Sequence, residues 1–168
     1  MDAHAVHVAT GYKGTTPFPI VHFVEWVLPI VYNDFELMIE SPEELGDVFG
    51  ETYPCQHVMK LREDIYDKAV AGDGFARMTI AHEVGHLLEH DDTPLAMTRR
   101  AANSQTPAYL SSEWQANAFA GALLMPACKI VDMDEFAVAD TYRVSLAAAT
   151  TQKQKIREEA ARWSLPRL

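Results

Sequence analysis

The sequence predicts an α+β protein, mainly helical, with a small sheet of about three strands beside one central helix. Three patterns carry this. From Ile80 to Leu88 the apolar residues Ile80, Val84, Leu87 and Leu88 recur at i, i+4, i+7 and i+8, the stripe of a helix packed on one side. A second stretch starts at Ser111 or Ser112 and stops near Pro126, with serine suited to cap a first turn and proline suited to end a last one. Phe35 to Glu40 and His57 to Arg62 alternate apolar and polar residues, the period of a half-buried strand.

Taken in order, residues 1–16 are small and polar with Gly11 and Gly14, and so predict a loose end. A helix entered through Pro17 or Pro19 runs to about Tyr32. The two strands follow, separated by turn-like Gly50 and Pro54. The central helix spans about 75 to 90; Asp73 or Thr79 caps its start, and Asp91, Asp92, Thr93 and Pro94 mark its end, because proline biases the residue before it away from helix. Its apolar stripe packs inward, and its other side is expected to be open.

The connection from Asp92 to Tyr109 is long enough to form a binding rim. Tyr109 or the pair Arg99 and Arg100 are candidates there for stabilising an oxyanion. Asp134 to Tyr142, Arg143-Val144-Ser145 and a helical stretch from Leu146 to about Trp163 have the order of a helix-turn-helix. The second of these helices opens with Leu146, Ala147, Ala148 and Ala149, which offer few groups to base edges. It is expected to pack on the core or dock a partner.

Composition narrows the function classes. A chain of 168 residues with 48% hydrophobic content can bury a core without staples. The start of the chain lacks the pattern of a signal peptide, and the run from Phe18 to Val31 is broken by His22, Glu25 and Pro29, so no membrane span is expected and a cytoplasmic location is. Cys55 and Cys128 are too few for a disulfide framework. The formal net charge of −10 opposes direct nucleic-acid binding, which relies on cations at phosphates, and suits a basic protein partner.

The chemistry concentrates in His82-Glu83-Val84-Gly85-His86. Histidines at i and i+4 lie one above the other on a helix, so both imidazoles can reach one zinc ion. Glu83, beside them, is placed as the catalytic carboxylate: zinc lowers the pKa of water towards about 7, and a general base in reach takes its proton and later hands it to a leaving amine. A catalytic zinc needs a third protein ligand. His90 lies eight residues from His82, about 12 Å along the axis and too far for both to share an ion. Asp92 fits the place of a third ligand in a longer motif that requires a glycine turn, where this chain has Glu89. Glu113 is preferred. It shares one side of the second helix with Ala116, Asn117, Ala120 and Gly121, small residues that let two helices approach closely. Asn117, one turn on, is a candidate to orient His82 or His86 from behind the metal.

Two blocks, Arg77-Met78-Thr79-Ile80-Ala81-His82-Glu83-Val84-Gly85-His86-Leu87-Leu88 and Glu113 through Pro126 with its Ala-Asn-x-Phe-Ala and Leu-Leu-Met-Pro, resemble the ImmA/IrrE-type metallopeptidases. Met78 stands where an aromatic residue is common in that family. The resemblance implies a zincin-like metallopeptidase core, zinc ligation by His82, His86 and Glu113 in a gluzincin-like arrangement, and Glu83 as the catalytic residue. It also implies a protein substrate, a helix-turn-helix transcriptional repressor, cleaved or otherwise inactivated in a stress response or in the regulation of mobile elements. The expected organisation is one metallopeptidase domain over 1–168, with a loose N-terminus (1–16), a catalytic core (17–126) and a C-terminal helical region (127–168). Two other functions compete: a zinc-containing protein that inactivates a repressor without cutting it, and a helix-turn-helix DNA-binding protein whose metal motif is accidental.

Overall fold

The computed structural model of the protein describes residues 2–89, 97–98 and 112–164, the side chains of 97–98 and 163–164 excepted. The connection expected from Asp92 to Tyr109, with Arg99 and Arg100, lies outside the described side chains, as do His90 and the helix-ending residues Asp91 to Pro94.

The expected loose start is a helix. In α1 (Ala3–Thr10) the Ala5 N–H donates to Asp2 Oδ1 at 2.8 Å, satisfying one of the donors that a helix start leaves open. Gly11 ends it in the left-handed region at φ 67°, a conformation glycine adopts without a Cβ penalty. Ala3 and Val6 are buried, and the His7 ring donates from Nε2 to Leu123 O at 2.8 Å. Two apolar residues at i and i+3 make too brief a stripe to be told from a polar tail by periodicity.

The helix expected up to Tyr32 is present as α2 (Ile20–His22), a π-helical segment (Phe23–Val27) and α3 (Leu28–Val31). The widened turn, in which Leu28 N–H bonds Phe23 O, directly precedes Pro29, which has no N–H to give and crowds the carbonyl four residues back. The sheet comes next, from β1 (Glu36–Glu40), β2 (Gly50–Tyr53) and β3 (Val58–Arg62), with a short helix, α4 (Pro42–Leu45), between β1 and β2. A two-residue strand, β4 (Met97–Thr98), completes it in the order β1-β3-β2-β4. β1 runs parallel to β3, while β2 is antiparallel to both β3 and β4. β2 occupies the stretch that reads as a turn, since Gly50 and Pro54 bracket four residues only. Cross-strand partners share a face, so the pairs Gly50 with Leu61 and Thr52 with Met59 turn four buried residues the same way, towards the central helix.

After α5 (Glu63–Val70), which buries Ile65 and Ala69, comes that central helix, α6 (Gly74–Glu89). Asp73 caps it, accepting from the Ala76 N–H at 2.8 Å. The expectation of one open side is corrected here: every residue from Ala76 to Leu88 except Met78 is buried, because β2 and α5 cover one side and α7 (Ser112–Leu124) covers the other. Gly85 sits at the crossing with α7, where a Cβ would come to 3.0 Å from Ala116 Cα. The small side chains expected to permit close approach therefore do so at Ala116.

The chain continues through α8 (Ala127–Ile130), α9 (Glu135–Tyr142) and α10 (Leu146–Ser164). α10 packs against α9, α8 and α7, as a core-packing helix should, and its buried Lys153 donates to the carbonyls of Ile130, Val131 and Met133, filling acceptors that the short α8 leaves open. Arg77, also buried, donates to Arg143 O at 3.1 Å and Phe18 O at 2.9 Å. Burial lowers its pKa, the nearby Arg143 adding to the effect and Tyr12 opposing it.

At the start of α6 a Cβ on Gly74 would stand 2.5 Å from Ser145 N and from Val144 C. Those are backbone atoms of the α9–α10 connection and cannot rotate away. Gly74→Ala is therefore expected to lose about 1–3 kcal/mol to overpacking, more than the helix propensity gained, which is about 1 kcal/mol at most. A lowered midpoint in thermal unfolding checks this; an unchanged or raised midpoint would show that the α9–α10 turn yields.

Candidate metal centre

α6 and α7 bring three donor residues to one point. His82 and His86, one turn apart on α6, stand with ring centroids 4.6 Å apart and planes nearly perpendicular at 88°. Their Nε2 atoms are 3.0 Å apart. From the first turn of α7, Glu113 reaches both, Oε2 lying 3.2 Å from His82 Nε2 and Oε1 3.1 Å from His86 Nε2. Among the described residues these three form the one cluster of potential metal ligands, with all donor atoms within 4.8 Å of one another. His90 and Asp92, the other ligand candidates, lie outside the described residues.

The donor set fits a divalent ion. Donors at 2.0–2.1 Å from a tetrahedral zinc are about 3.3 Å apart, close to the 3.0 to 3.2 Å seen here. The Asn117 side chain decides which nitrogen of His82 can ligate. Its Nδ2 donates to Glu113 O at 2.7 Å, and a carbonyl can only accept, so Oδ1 is the atom facing His82 Nδ1 at 3.2 Å. Nδ1 must then carry the proton, which leaves the lone pair on Nε2. Asn117 thus holds His82 in the tautomer that leaves Nε2 free for a cation. Two ring nitrogens 3.0 Å apart need a proton or a cation between them.

Exposure is uneven. Both imidazoles are fully buried, whereas the Glu113 side chain is 36% exposed, so among the described residues Glu113 is the ligand candidate that solvent reaches. Burial alone would raise its pKa, but the two imidazoles beside it outweigh that and lower it to about 2. It is a charged donor throughout the neutral range.

Glu83 is fully buried and is held from the sheet: Thr52 Oγ1 donates to its Oε2 at 2.7 Å. Two residues away on β2, Gly50 leaves room for the same side chain, since a Cβ there would come to 2.8 Å from Glu83 Cγ and 3.1 Å from Oε1. Sequence reasoning missed both. Gly50 reads as a turn residue, and Thr52 carries no motif; a four-residue strand ending in Tyr53-Pro54 gives the period too few repeats to show. The proposed oxyanion donors Tyr109, Arg99 and Arg100 lie outside the described side chains.

Against models of known protein families, residues 65–160 match Peptidase_M78, the IrrE N-terminal-like domain. The match covers α6, α7 and most of α10, and with them the whole donor cluster. No curated protein matches the chain.

Proposed function

Since the chain belongs to the Peptidase_M78 family, the IrrE N-terminal-like peptidases, we propose that it is a zinc-dependent endopeptidase that cuts a partner protein. The observation that carries the proposal is the meeting of His82, His86 and Glu113 next to a glutamate, Glu83, that is fixed from the sheet by Thr52. His82, His86 and Glu113 are the residues that would hold the ion, with Asn117 orienting His82. Zinc, when bound, supplies a Lewis acid and lowers the pKa of water to about 7.

Glu83 takes the proton from the attacking water as general base and returns it to the leaving amine as general acid. Thr52 fixes one oxygen of that carboxylate, and Gly50 keeps the space it occupies. Gly50→Ala is expected to keep zinc at the histidines but to displace Glu83, lowering the rate by about 100-fold, the cost of a misplacement near 1 Å. Metal content together with peptide turnover tests this: full turnover with the alanine in place would mean that Gly50 does not position the carboxylate.

The substrate lies against the sheet. β4 pairs with Glu51 and Thr52 of β2, so among the described strands β4 is outermost on this side, and an extended peptide adds beyond it by main-chain hydrogen bonds. A basic helix-turn-helix repressor suits the net charge of −10 through electrostatic steering, and places the protein in the cytoplasm, in stress response or mobile-element regulation. No helix among the described residues is long and apolar enough to cross a membrane.

The test is cleavage of such a repressor by the zinc-loaded protein, followed by mass spectrometry of the fragments. Discrete cuts that stop on chelation and return with zinc are expected. Release of the repressor from its operator with its chain intact would leave sequestration as the function.

A further inference from the structure

The first turns of α6, the middle of α7 and the face of α10 enclose a cavity of about 330 Å³, near the lower end of the range for small-molecule sites. It begins one helical turn from the metal centre on both helices: Met78 is four residues before His82, and Asn117 is four after Glu113. Phe75, Met78 and Met125 give it an apolar wall. Polar groups enter from α10, namely Thr151, Gln152 and Lys155.

Two of these are in unusual surroundings. Gln152 is 8% exposed and lines the cavity. It lies over Gly121, where a Cβ would come to 2.5 Å from Gln152 Oε1, so the glycine is what lets the amide occupy this place. Lys155 is half-buried, with its ammonium 5.9 Å from the ring centroid of Trp114, the neighbour of Glu113. Among the described residues it has no ion pair. Burial lowers its pKa and Glu159, the acidic group that acts on it, opposes the shift.

We infer that this cavity binds a carboxylate carried on a short aliphatic stem, with Lys155 and Gln152 donating to its oxygens and the stem lying on Phe75, Met78 and Met125. A cation and an amide that line one cavity with an apolar wall match that chemistry and no neutral apolar ligand. The carboxylate has two possible sources, the side chain of a glutamate in a bound peptide or a free small acid. The inference concerns binding, and stands whether or not the protein cuts peptide bonds.

N-acetylglutamate α-amide is the probe, titrated calorimetrically into the zinc-loaded protein and into the chelated protein. Saturable binding is expected in both forms. Lys155→Met should weaken it by about 10- to 100-fold, the worth of one charged hydrogen bond; Lys155→Arg should restore it, and Gly121→Ala should weaken it by displacing Gln152. No saturable binding, equal affinity in wild type and Lys155→Met, or binding that vanishes with zinc would overturn the inference, the last by placing the carboxylate on the metal. Peptides differing only in a Glu, Gln, Leu or Lys next to the bond then separate the sources. Preferential cleavage beside Glu, lost in Lys155→Met, assigns the carboxylate to the substrate; a free acid that alters the cleavage of all four alike assigns it to an effector.

Discussion

Glu83→Gln is expected to keep zinc and fold while lowering kcat/KM by about 10²- to 10⁴-fold, the usual contribution of a positioned general acid–base. The substitution changes one atom in a fully buried side chain and preserves its volume. The hydroxyl of Thr52, which now donates to Glu83 Oε2 at 2.7 Å, can donate equally to an amide oxygen, so the side chain should keep its place. What is lost is the capacity to take a proton from water. Stability should not fall, because a buried carboxylate costs more to desolvate than a buried amide. Metal analysis, thermal unfolding and peptide turnover on the same preparation make the test complete. Turnover within about threefold of wild type would remove Glu83 from the chemistry, whatever the fate of the metal. Relief of repression that persists at full strength in this variant would show that cutting is not how the protein acts on its partner.

How much of this was legible in the sequence depends on the distance along the chain over which each relationship acts. His82 and His86 are one turn apart, and a period of 3.6 residues alone puts them together. Asn117 lies one turn from Glu113, so its place behind His82 follows once α7 is set against α6. Ser112 and Pro126 bracket α7 with local chemistry, and its observed bounds, Ser112–Leu124, agree with that. The contacts that hold Glu83 act over greater separation. Thr52 is 31 residues away on a strand of four residues, and neither its type nor its neighbours announce the pairing. The open face expected on α6 failed for a related reason: a count of apolar positions treats His82, Glu83 and His86 as a solvent side, yet polar groups can be buried when they satisfy one another. α1 was hidden because its apolar stripe is two residues long, and its Asp2 cap looks like any polar residue near a terminus. Helical segments that meet side by side were readable, as were β1 and β3 of the sheet; β2, the strand that positions the carboxylate, was not.

Glu113→Ala is expected to reduce zinc affinity by more than about 100-fold. Loss of a group behind a ligand costs about 10- to 100-fold, and Glu113 is assigned a place in the ligand set itself, so Asn117→Ala should fall between it and wild type. The physical case rests on charge. Glu113 is the one anionic member of the cluster, and its carboxylate spans the two imidazoles at 3.2 and 3.1 Å. With its pKa lowered to about 2, that charge and the stability it lends to the folded state are fully present above the ordinary carboxylate range and are lost only as pH falls through about 2. Throughout the neutral range the Glu113 charge is therefore present in full, and the affinity of the variant should stay below that of wild type. Folding reports the same quantity, since a ligand present at 100 times its Kd stabilises by about 2.7 kcal/mol, and a 100-fold weaker site loses nearly all of that. Zinc should accordingly raise the unfolding temperature of wild type and leave that of Glu113→Ala almost unchanged. Competition against a chelator of known affinity measures the ratio directly. Wild-type affinity in Glu113→Ala would mean that the third ligand is another residue, and loss of zinc in His82→Ala alongside it would show that the two imidazoles still define the centre.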